Sequence, residues 1–165
     1  MESEVYSKAK AAHEASLQLA NAATTVKNTA LSYIANELES QCQTIITANQ
    51  IDIANAKDKG MSEAMLDRLA LTKSRIIDIA TGVRQVIDLP DPVGVELEAW
   101  TRPNGLRIQK VTVPLGVIAM IYESRPNVTV DAAVLCIKSG NACVLRGGSE
   151  SIHSNIALTS VIKSG

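Results

Sequence analysis

The sequence predicts an α/β fold in which a helical half is followed by a β-hairpin and then by a strand–helix–strand unit of a Rossmann-like parallel sheet. Three observations support this fold class. Apolar residues recur at helical spacing through the first ninety positions, prolines at 90 and 92 end that pattern, and two apolar strand-like runs flank a helical stretch after them. With 165 residues and 46% hydrophobic content, the chain is long enough to bury the core of one ordinary domain.

The helical half is predicted from its apolar stripes and its capping residues. One stripe covers residues 31–45, where apolar side chains recur every three or four positions. Gly60 is suited to end a helix, and each proline in the segment 89–92 disfavours helix in the residue before it. Further helices are predicted to start at Asn49, with Asp52 in the first turn, after Ser62, and at Thr72.

Residues 94–113 are predicted to form a β-hairpin. Residues 95–100 alternate between apolar positions and polar or aromatic ones, which is typical of a half-exposed strand. The sequence Pro-Asn-Gly at 103–105 supplies a fixed φ followed by positions that tolerate a positive φ. The second strand of the hairpin is therefore expected to run to about Val113.

A parallel strand–helix–strand unit is predicted next. The run LGVIAMIYE, residues 115–123, is apolar on both faces, as a central parallel strand is. The nearly all-apolar stretch 126–139 is predicted as a helix, with Pro126 in its first turn and Gly140 at its end. A second strand at 142–146 completes the unit, whose crossover is expected to be right-handed.

The carboxyl ends of these strands are predicted to bind an anion. Ligands bind at this edge of parallel sheets, and Arg125 and Arg146 lie there. The stretch NACVLRGGSES, residues 141–151, has the pattern of a strand, a glycine turn and a helix start with Ser149 as N-cap. Free backbone N–H groups, the helix dipole and the Arg146 guanidinium favour a phosphate. In the alternative, Arg146 pairs with a surface carboxylate and the glycine pair only makes a tight turn.

Composition and charge exclude several classes of function. The formal net charge is −1 with both signs interspersed, so no surface for nucleic acid or anionic lipid is expected. Three cysteines, at 42, 136 and 143, lack the C-x-x-C spacing of a zinc site, and His13 and His153 lack metal-spaced partners, so no metal is expected. Without a signal peptide or a sufficiently long apolar run, the chain is predicted to be cytoplasmic.

The predicted sheet is too small to be stable alone. Two parallel strands do not form an independent unit, and the apolar helix at 126–139 would lack a second layer. We therefore expect the chain to be a fragment of a larger protein, or to pair with a part that it does not contain.

Three stretches carry a family likeness that covers essentially the whole chain. They are VPLGVIAMIYESRPNVTVDAAVLCIKSGNACVLRGGSES at 113–151, TRPNGLRIQKVTVPLGVI at 101–118 and NQIDIANAKDKGMSEAMLDRLALTKSRI at 49–76. These stretches resemble the amino-terminal part of the γ-glutamyl phosphate reductases, a family of the aldehyde dehydrogenase superfamily.

The resemblance implies the reduction of L-glutamyl 5-phosphate by NADPH to L-glutamate 5-semialdehyde, with release of phosphate, in proline biosynthesis. In the family a cysteine thiolate displaces phosphate, hydride transfer reduces the resulting thioester, and the aldehyde is released. The resemblance also implies that the catalytic cysteine lies downstream of residue 165. Cys42, Cys136 and Cys143 lie in apolar stretches without a cationic neighbour to lower their pKa, so none of them is expected to be the nucleophile.

The resemblance also implies a division of the chain. Residues 1–93 would be the helical part of the cofactor-binding domain, and 114–165 would be the strand–helix–strand part of the NADP-binding domain. The hairpin at 94–113 would join subunits of a homo-oligomer, and the catalytic domain would be absent.

Cofactor preference is predicted from two positions. In the superfamily the second strand ends in a lysine that contacts the adenosine ribose, and NAD-preferring members have a glutamate three positions later that holds the ribose 2′-hydroxyl. Arg146 and Ser149 stand at these places. A guanidinium and a hydroxyl can bind a 2′-phosphate that a carboxylate would repel, so the resemblance implies NADP, with Gly147 and Gly148 allowing close approach. In the alternative, a shift of one residue makes Glu150 a ribose-binding acid.

Two residues at the turn after the first parallel strand are candidates for the chemistry. Superfamily members carry an asparagine there whose amide stabilises the oxyanion, and Asn127 is the asparagine available. Its alternative role is to cap the following helix. Arg125 could attract the acyl phosphate or the substrate carboxylate, and its alternative is a surface salt bridge.

Two other functions remain open at this point. The chain could belong to a bifunctional enzyme in which the reductase is fused to glutamate kinase, although a start at Met1 argues against an upstream fusion. It could also be a non-catalytic nucleotide-binding module, which would bind a cofactor reversibly without any nucleophile.

Overall fold

The computed structural model describes residues 3–165, and its helical half consists of five helices. Their bounds are α1 (Glu4–Leu19), α2 (Thr24–Ser40), α3 (Cys42–Asp58), α4 (Glu63–Leu69) and α5 (Lys73–Asp88). The predicted helices after Ser62 and at Thr72 are confirmed. The Thr72 hydroxyl caps α5 by accepting a hydrogen bond from the Arg75 N–H at 3.2 Å.

The apolar stripe at 31–45 belongs to two helices, and the predicted helix start at Asn49 is wrong. The chain leaves helical geometry at Gln41, where φ is −96° and ψ is 15°, and α3 begins at Cys42. Apolar side chains on both sides of this break enter the same core, so their spacing alone did not reveal it.

Asn49 instead makes tertiary contacts from the middle of α3. Its Nδ2 donates to the Leu69 carbonyl and to the Ser154 hydroxyl, both at 2.9 Å, and its Oδ1 accepts from the Leu71 N–H at 2.8 Å. The side chain is 3% exposed, and all these polar groups would be costly to bury unpaired. Asparagine is common at helix N-caps, but Asn49 instead links the middle of α3 to the end of α4.

The predicted hairpin is present as β1 (Glu96–Thr101) and β2 (Arg107–Val111), which pair antiparallel. Gly105 adopts the positive φ of 84° that the turn requires, and its N–H donates to the Arg102 carbonyl at 2.9 Å. The hairpin is more exposed than predicted, because every residue of β1 is exposed and only Ile108 of β2 is partly buried.

The strand–helix–strand unit is also present, as β3 (Val117–Ile121), α6 (Asn127–Lys138) and β4 (Ala142–Arg146). The strands are parallel and pair in register from Val117 with Ala142 to Ile121 with Arg146. Both α1 and α6 contact the sheet. The prediction that β3 is buried on both faces is nevertheless wrong. Ala119 and Ile121 are exposed, Ile121 at 75%, and the other three residues of the strand are only partly buried.

The last helix, α7 (Ile152–Ser164), follows β4 after a 3₁₀ turn at Ser149–Ser151. The predicted N-cap at Ser149 is wrong, because Asp52 of α3 fills that role. Asp52 Oδ2 accepts from the Ser154 N–H at 2.7 Å and from the Ser154 hydroxyl at 2.6 Å, while its Oδ1 accepts from the His153 N–H at 3.2 Å. The first turn of α7 is therefore closed by a carboxylate from a distant part of the chain.

One aliphatic core joins the helical half to the strand–helix–strand unit. It is formed by α2, α3, α5, α6 and α7, and the chain has no phenylalanine to contribute. Its largest members, each at most 2% exposed, are Leu31, Ile34, Leu38, Ile45, Ile76, Val83, Val130, Val134, Leu158 and Val161. None of the helices within residues 3–165 combines the length and the apolar character needed to cross a membrane.

A buried lysine fixes the proline-rich segment between α5 and β1. Lys27 is 2% exposed, and its Nζ lies 2.6 Å from Asp91 Oδ2 and donates to the Lys138 carbonyl at 3.2 Å. Asp91 also accepts from the Thr24 hydroxyl at 2.6 Å and from the Val93 N–H at 3.0 Å. Partial burial opposes ionisation, but these hydrogen bonds and the Lys27 charge outweigh it and lower the pKa of Asp91 to about 2.

Candidate functional site

Two adjoining cavities lie at the carboxyl edge of the β3–β4 sheet. The strand-end cavity, about 500 Å³, is bounded by residues 121–125, by Arg146, Gly148 and Glu150, and by α4. The helical cavity, about 370 Å³, lies between α4, α5 and the start of α6. Arg68 of α4 and Arg125 line both cavities, so the two spaces meet at these arginines. The edge predicted to bind a ligand is thus concave, as a small-molecule site requires.

Arg146 lies where the sequence predicted it, at the last position of β4 and in the wall of the strand-end cavity. Its carbonyl accepts from the Tyr122 N–H at 3.1 Å, which fixes the main chain, while the residue as a whole is exposed. None of the ion pairs within residues 3–165 involves Arg146. The alternative of a pairing with a surface carboxylate therefore finds no support in this part of the chain.

Gly147 and Gly148 have different structural roles. A Cβ on Gly147 would overlap the Asn155 side-chain amide and would lie 3.1 Å from the Tyr122 ring, so this glycine is required for packing beneath the turn. A Cβ on Gly148 would lie 2.7 Å from Glu150 Oε2 and 3.1 Å from the Ser124 hydroxyl, on the side of the strand-end cavity. Of the two, Gly148 is the glycine that lines the cavity.

A chain of hydrogen bonds supports the glycine turn from behind. The Tyr122 and Thr129 hydroxyls are 2.7 Å apart, and the Thr129 hydroxyl donates to Asn155 Oδ1 at 3.0 Å. Asn155 Nδ2 donates to the Ser151 hydroxyl at 3.0 Å, which in turn donates to the Gly148 carbonyl at 3.2 Å. The chain ties β3, α6 and α7 to the turn, which holds the cavity wall in one position.

Ser149 and Glu150 are placed differently from the prediction. Ser149 is exposed at the start of the 3₁₀ turn and does not line the strand-end cavity, whereas Glu150 does. Glu150 Oε2 accepts from the Ser124 hydroxyl at 3.0 Å. Its own backbone N–H, then Ser124, and to a smaller extent Ser149 and the charge of Lys59 lower the pKa of Glu150, so the carboxylate is ionised at neutral pH.

The expected anion site at free backbone N–H groups of the last helix is not present at its first turn. The N–H groups of His153 and Ser154 already donate to Asp52. His153 Nδ1 also lies 2.8 Å from Asp52 Oδ1, so Asp52 is fully engaged by this helix start. A phosphate in the strand-end cavity would therefore depend on side chains and on the glycine turn rather than on the start of α7.

Asn127 and Arg125, the two candidates for the chemistry, both line the helical cavity. Asn127 is the first residue of α6, and its Nδ2 donates to Asp131 Oδ2 at 3.0 Å. It makes no side-chain cap, so its alternative role as an N-cap is wrong. Arg125 is exposed and takes part in none of the ion pairs within residues 3–165.

Several residues of the two cavities gave no signal in the sequence. Arg68 lies on the short helix α4, and Asp78 lies on an exposed face of α5. Both reach the cavities only because α4 and the start of α5 pack beside the sheet edge. Ser124, whose hydroxyl donates to Glu150, precedes Arg125 in the turn after β3. A tertiary arrangement was needed to find all three.

The cysteines of the chain have no features of an activated nucleophile. Burial, and next the adjacent Cys136, raise the pKa of Cys143 to about 11, and burial also raises the pKa of Cys136. Both thiols are therefore protonated at neutral pH. Cys42 packs against the main core. No cluster of three metal-ligating side chains is found among residues 3–165.

No model of a known protein family matches the chain, but individual proteins do over nearly its whole length. The γ-glutamyl phosphate reductase of Carboxydothermus hydrogenoformans is 56% identical over 97% of this chain and 39% of its own length. The protein of the same name from Anoxybacillus flavithermus is 54% identical over 98% of this chain and 39% of its own length. The chain thus spans about 39% of the length of these curated relatives.

Solved structures show the same relationship. The γ-glutamyl phosphate reductase of Thermotoga maritima has a TM-score of 0.97 and 46% identity, over 98% of this chain and 39% of that one. The enzyme of that name from Saccharomyces cerevisiae has a TM-score of 0.93 and 34% identity, over 99% of this chain and 42% of that one. A probable aldehyde dehydrogenase from Listeria monocytogenes, 15% identical, has a TM-score of 0.67 over 94% of this chain and 31% of its own, which shows likeness of fold alone. The predicted α/β, aldehyde dehydrogenase-like fold is confirmed.

Proposed function

Since the chain belongs, as an amino-terminal part, to the γ-glutamyl phosphate reductase family, we propose that it forms the adenosine-binding edge of an enzyme that reduces L-glutamyl 5-phosphate to L-glutamate 5-semialdehyde, with release of phosphate, in proline biosynthesis. One observation supports the proposal most directly. Arg68, Arg125 and Arg146, which make no ion pair within residues 3–165, all line one cavity at the carboxyl edge of the parallel sheet. Unpaired guanidinium groups in a concave site favour anionic ligands, that is, the phosphate and carboxylate groups of the cofactor and the substrate.

The proposed cofactor is NADPH, which supplies a hydride when bound. The Arg146 guanidinium would bind the 2′-phosphate by paired hydrogen bonds, and the exposed Ser149, between the cavity-lining Gly148 and Glu150 in the chain, would add a hydroxyl. Gly148 would allow the phosphate to approach the main chain, while Gly147 serves the packing beneath it. This division refines the prediction that both glycines contact the cofactor.

Glu150 is the observation that weighs against NADPH, because a carboxylate in the cavity repels a phosphate. Its Oε2 is bound to Ser124, and the positive charge of Lys59 acts on the same carboxylate. Glu150 makes no ion pair with Arg146, so the guanidinium keeps its full charge for a ligand. The proposed cofactor is therefore NADPH. In an NAD-dependent enzyme, a carboxylate in the position of Glu150 would instead bind the ribose 2′-hydroxyl.

Asn127 and Arg125 are proposed to act on the acyl phosphate. An amide nitrogen carries two hydrogens, so Asn127 can keep its bond to Asp131 and still donate to a developing oxyanion. Arg125, at the junction of the two cavities, would neutralise the phosphate that leaves. The nucleophilic cysteine is proposed to lie downstream of residue 165, and the 165-residue chain alone is expected to be inactive.

The exposed hairpin is proposed to join two copies of the protein in a homo-oligomer. Its strands carry apolar side chains that water reaches, including Leu97 at 57% and Trp100 at 45% exposure. Burying such side chains against a second copy would be favourable by the hydrophobic effect, and the edges of the hairpin would gain partners.

The proposal is tested by the reverse reaction. Phosphate-dependent reduction of NADP by L-glutamate 5-semialdehyde should be measured with the complete protein and with the 165-residue chain. Turnover by the complete protein alone is the expected result. Turnover by the 165 residues alone would contradict the downstream position of the nucleophile. Reversible cofactor binding without turnover in either sample would contradict the proposal and favour a non-catalytic nucleotide-binding module, and ATP-dependent phosphorylation of glutamate by the complete protein would reveal a fused kinase.

A further inference from the structure

The helical cavity contains charged side chains that the proposed cofactor site does not use. It lies beside the strand-end cavity, has a volume of about 370 Å³ and shares the walls formed by Arg68 and Arg125. A molecule bound there would be in contact, through these two arginines, with whatever occupies the strand-end cavity.

One charged pair of this cavity is already satisfied and forms a fixed wall. The Arg75 guanidinium donates to Asp67 Oδ1 at 2.7 Å, to the Asp67 carbonyl, and to the Ala70 carbonyl at 3.0 Å. Three acceptor groups at the end of α4 are thus held by one side chain at the start of α5. These residues shape the cavity but have little capacity left for a ligand.

Three other charged side chains of the cavity are exposed and make no ion pair within residues 3–165: Arg68, Asp78 and Arg125. Asp78 follows Arg75 by three residues on α5, so both lie on the helix face that borders the cavity. The cavity therefore offers one free anion and two free cations. A ligand with the opposite arrangement, one cation and two anions, would satisfy all three.

The remaining wall is apolar. It is formed by Ala70, by Leu71, which is 6% exposed, and by the partly buried Ile79. A short aliphatic segment between the charged groups of a ligand would lose water against these side chains, which is favourable.

These features match the chemistry of the proposed substrate. L-Glutamyl 5-phosphate has an ammonium and a carboxylate on its α-carbon, a segment of two methylenes, and an acyl phosphate at the other end. We propose that the helical cavity binds the amino-acid end of this substrate, with Asp78 accepting from the α-ammonium and Arg68 donating to the α-carboxylate. Arg125 then lies at the acyl phosphate, next to the cofactor. This assignment rests on the proposed function and identifies the residues that select an α-amino acid.

The test compares two aldehydes in the reverse reaction of the complete protein. L-Glutamate 5-semialdehyde carries the α-amino-acid group and propanal lacks it. The variants are Asp78→Asn and Arg68→Gln, and the matched control is Asp88→Asn, which changes an exposed aspartate of the same helix outside both cavities. Binding of L-glutamate to each protein, measured by calorimetry, gives a readout that does not require turnover.

Each variant is expected to raise the KM for L-glutamate 5-semialdehyde and the Kd for L-glutamate by about tenfold or more, because a charge-assisted hydrogen bond is lost. For Asp78→Asn, whose residue lines only the helical cavity, the rate with propanal and the KM for NADP should stay at the values of the control, and the melting temperature should do so for both variants. Unchanged KM and Kd in both variants, with an active parent enzyme, would overturn the assignment. A parent protein without phosphate-dependent turnover of either aldehyde would instead overturn the proposed function on which it rests.

Discussion

The side-chain amide of Asn155 packs so closely against Gly147 that a methyl group on the glycine would overlap it. The Asn155 side chain also links the Thr129 and Ser151 hydroxyls, so it cannot move without breaking bonds on both sides. The turn that carries Arg146 into the strand-end cavity therefore depends on the absence of a side chain at its first glycine.

Replacement of Gly147 by alanine should therefore destabilise the protein. The added methyl group must displace Asn155 or the Tyr122 ring, and overpacking of this kind costs about 1–3 kcal/mol. The control is Gly82→Ala in α5, where a Cβ meets nothing within 4 Å and the backbone is helical. That substitution should stabilise the protein by about 0.5–1 kcal/mol. Chemical denaturation of the complete protein measures both, and equal effects of the two substitutions would refute the packing role of Gly147.

The Lys27–Asp91 pair should make stability depend on pH in the acid range. The pKa of Asp91 is about 2 in the folded protein, whereas that of an unperturbed aspartate, as in the unfolded chain, is 3.8. Because its pKa is lower in the folded state, the ionised Asp91 adds to the free energy of unfolding. This contribution is present in full above about pH 4 and is lost as the pH falls toward 2. Asp91→Asn should remove this acid-dependent part and should cost roughly 3 kcal/mol at pH 7, because Lys27 would stay buried without its counterion.

Urea titrations at pH 7, 4 and 3 measure the effect of Asp91→Asn, and Asp88→Asn serves as a matched control on an exposed residue. The difference in free energy of unfolding between parent and Asp91→Asn should shrink as the pH is lowered. A difference that stays constant from pH 7 to pH 3 would rule out the ionised pair as its cause.

The hairpin at 94–113 should set the oligomeric state of the complete protein. Trp100 pairs with Ile108 across the two strands and is 45% exposed. Trp100→Glu would place a charge in the proposed contact, so sedimentation velocity should show a smaller assembly. Val26→Glu, a change of an exposed apolar residue on α2, should leave the assembly intact. Identical sedimentation of parent and Trp100→Glu would exclude the hairpin as the subunit contact.

Local signals in the sequence were sufficient for the elements that depend on local chemistry. The turn at Gly105 needs a positive φ, the end of α6 needs Gly140 at φ 72°, and both were predicted from residue type. The apolar runs on either side of α6 predicted the parallel pair of strands, although not its register. The two glycine conformations depend on residues nearby in the chain, so local sequence patterns were sufficient to predict them.

Features that depend on distant residues could not be predicted in this way. Asp52 caps α7 from a position 102 residues before Ser154, and this pairing displaced the cap predicted at Ser149. The resulting 3₁₀ turn places Glu150 rather than Ser149 in the cavity wall. Arg68 enters the same wall only through packing of α4 beside the sheet edge. Spacing along the chain contains no information about such contacts.

The claim that Arg146 binds the 2′-phosphate of the cofactor is tested most directly by measuring kcat/KM for NADP and for NAD with the complete protein and with Arg146→Gln. Arg102→Gln, a change of an exposed arginine in the hairpin turn that also makes no ion pair within residues 3–165, is the control. The account predicts that the parent prefers NADP and that Arg146→Gln lowers the NADP-to-NAD ratio by about ten- to a hundredfold, because a charge-assisted hydrogen bond to phosphate is lost. A parent that prefers NAD, or a ratio that Arg146→Gln leaves unchanged, would contradict it.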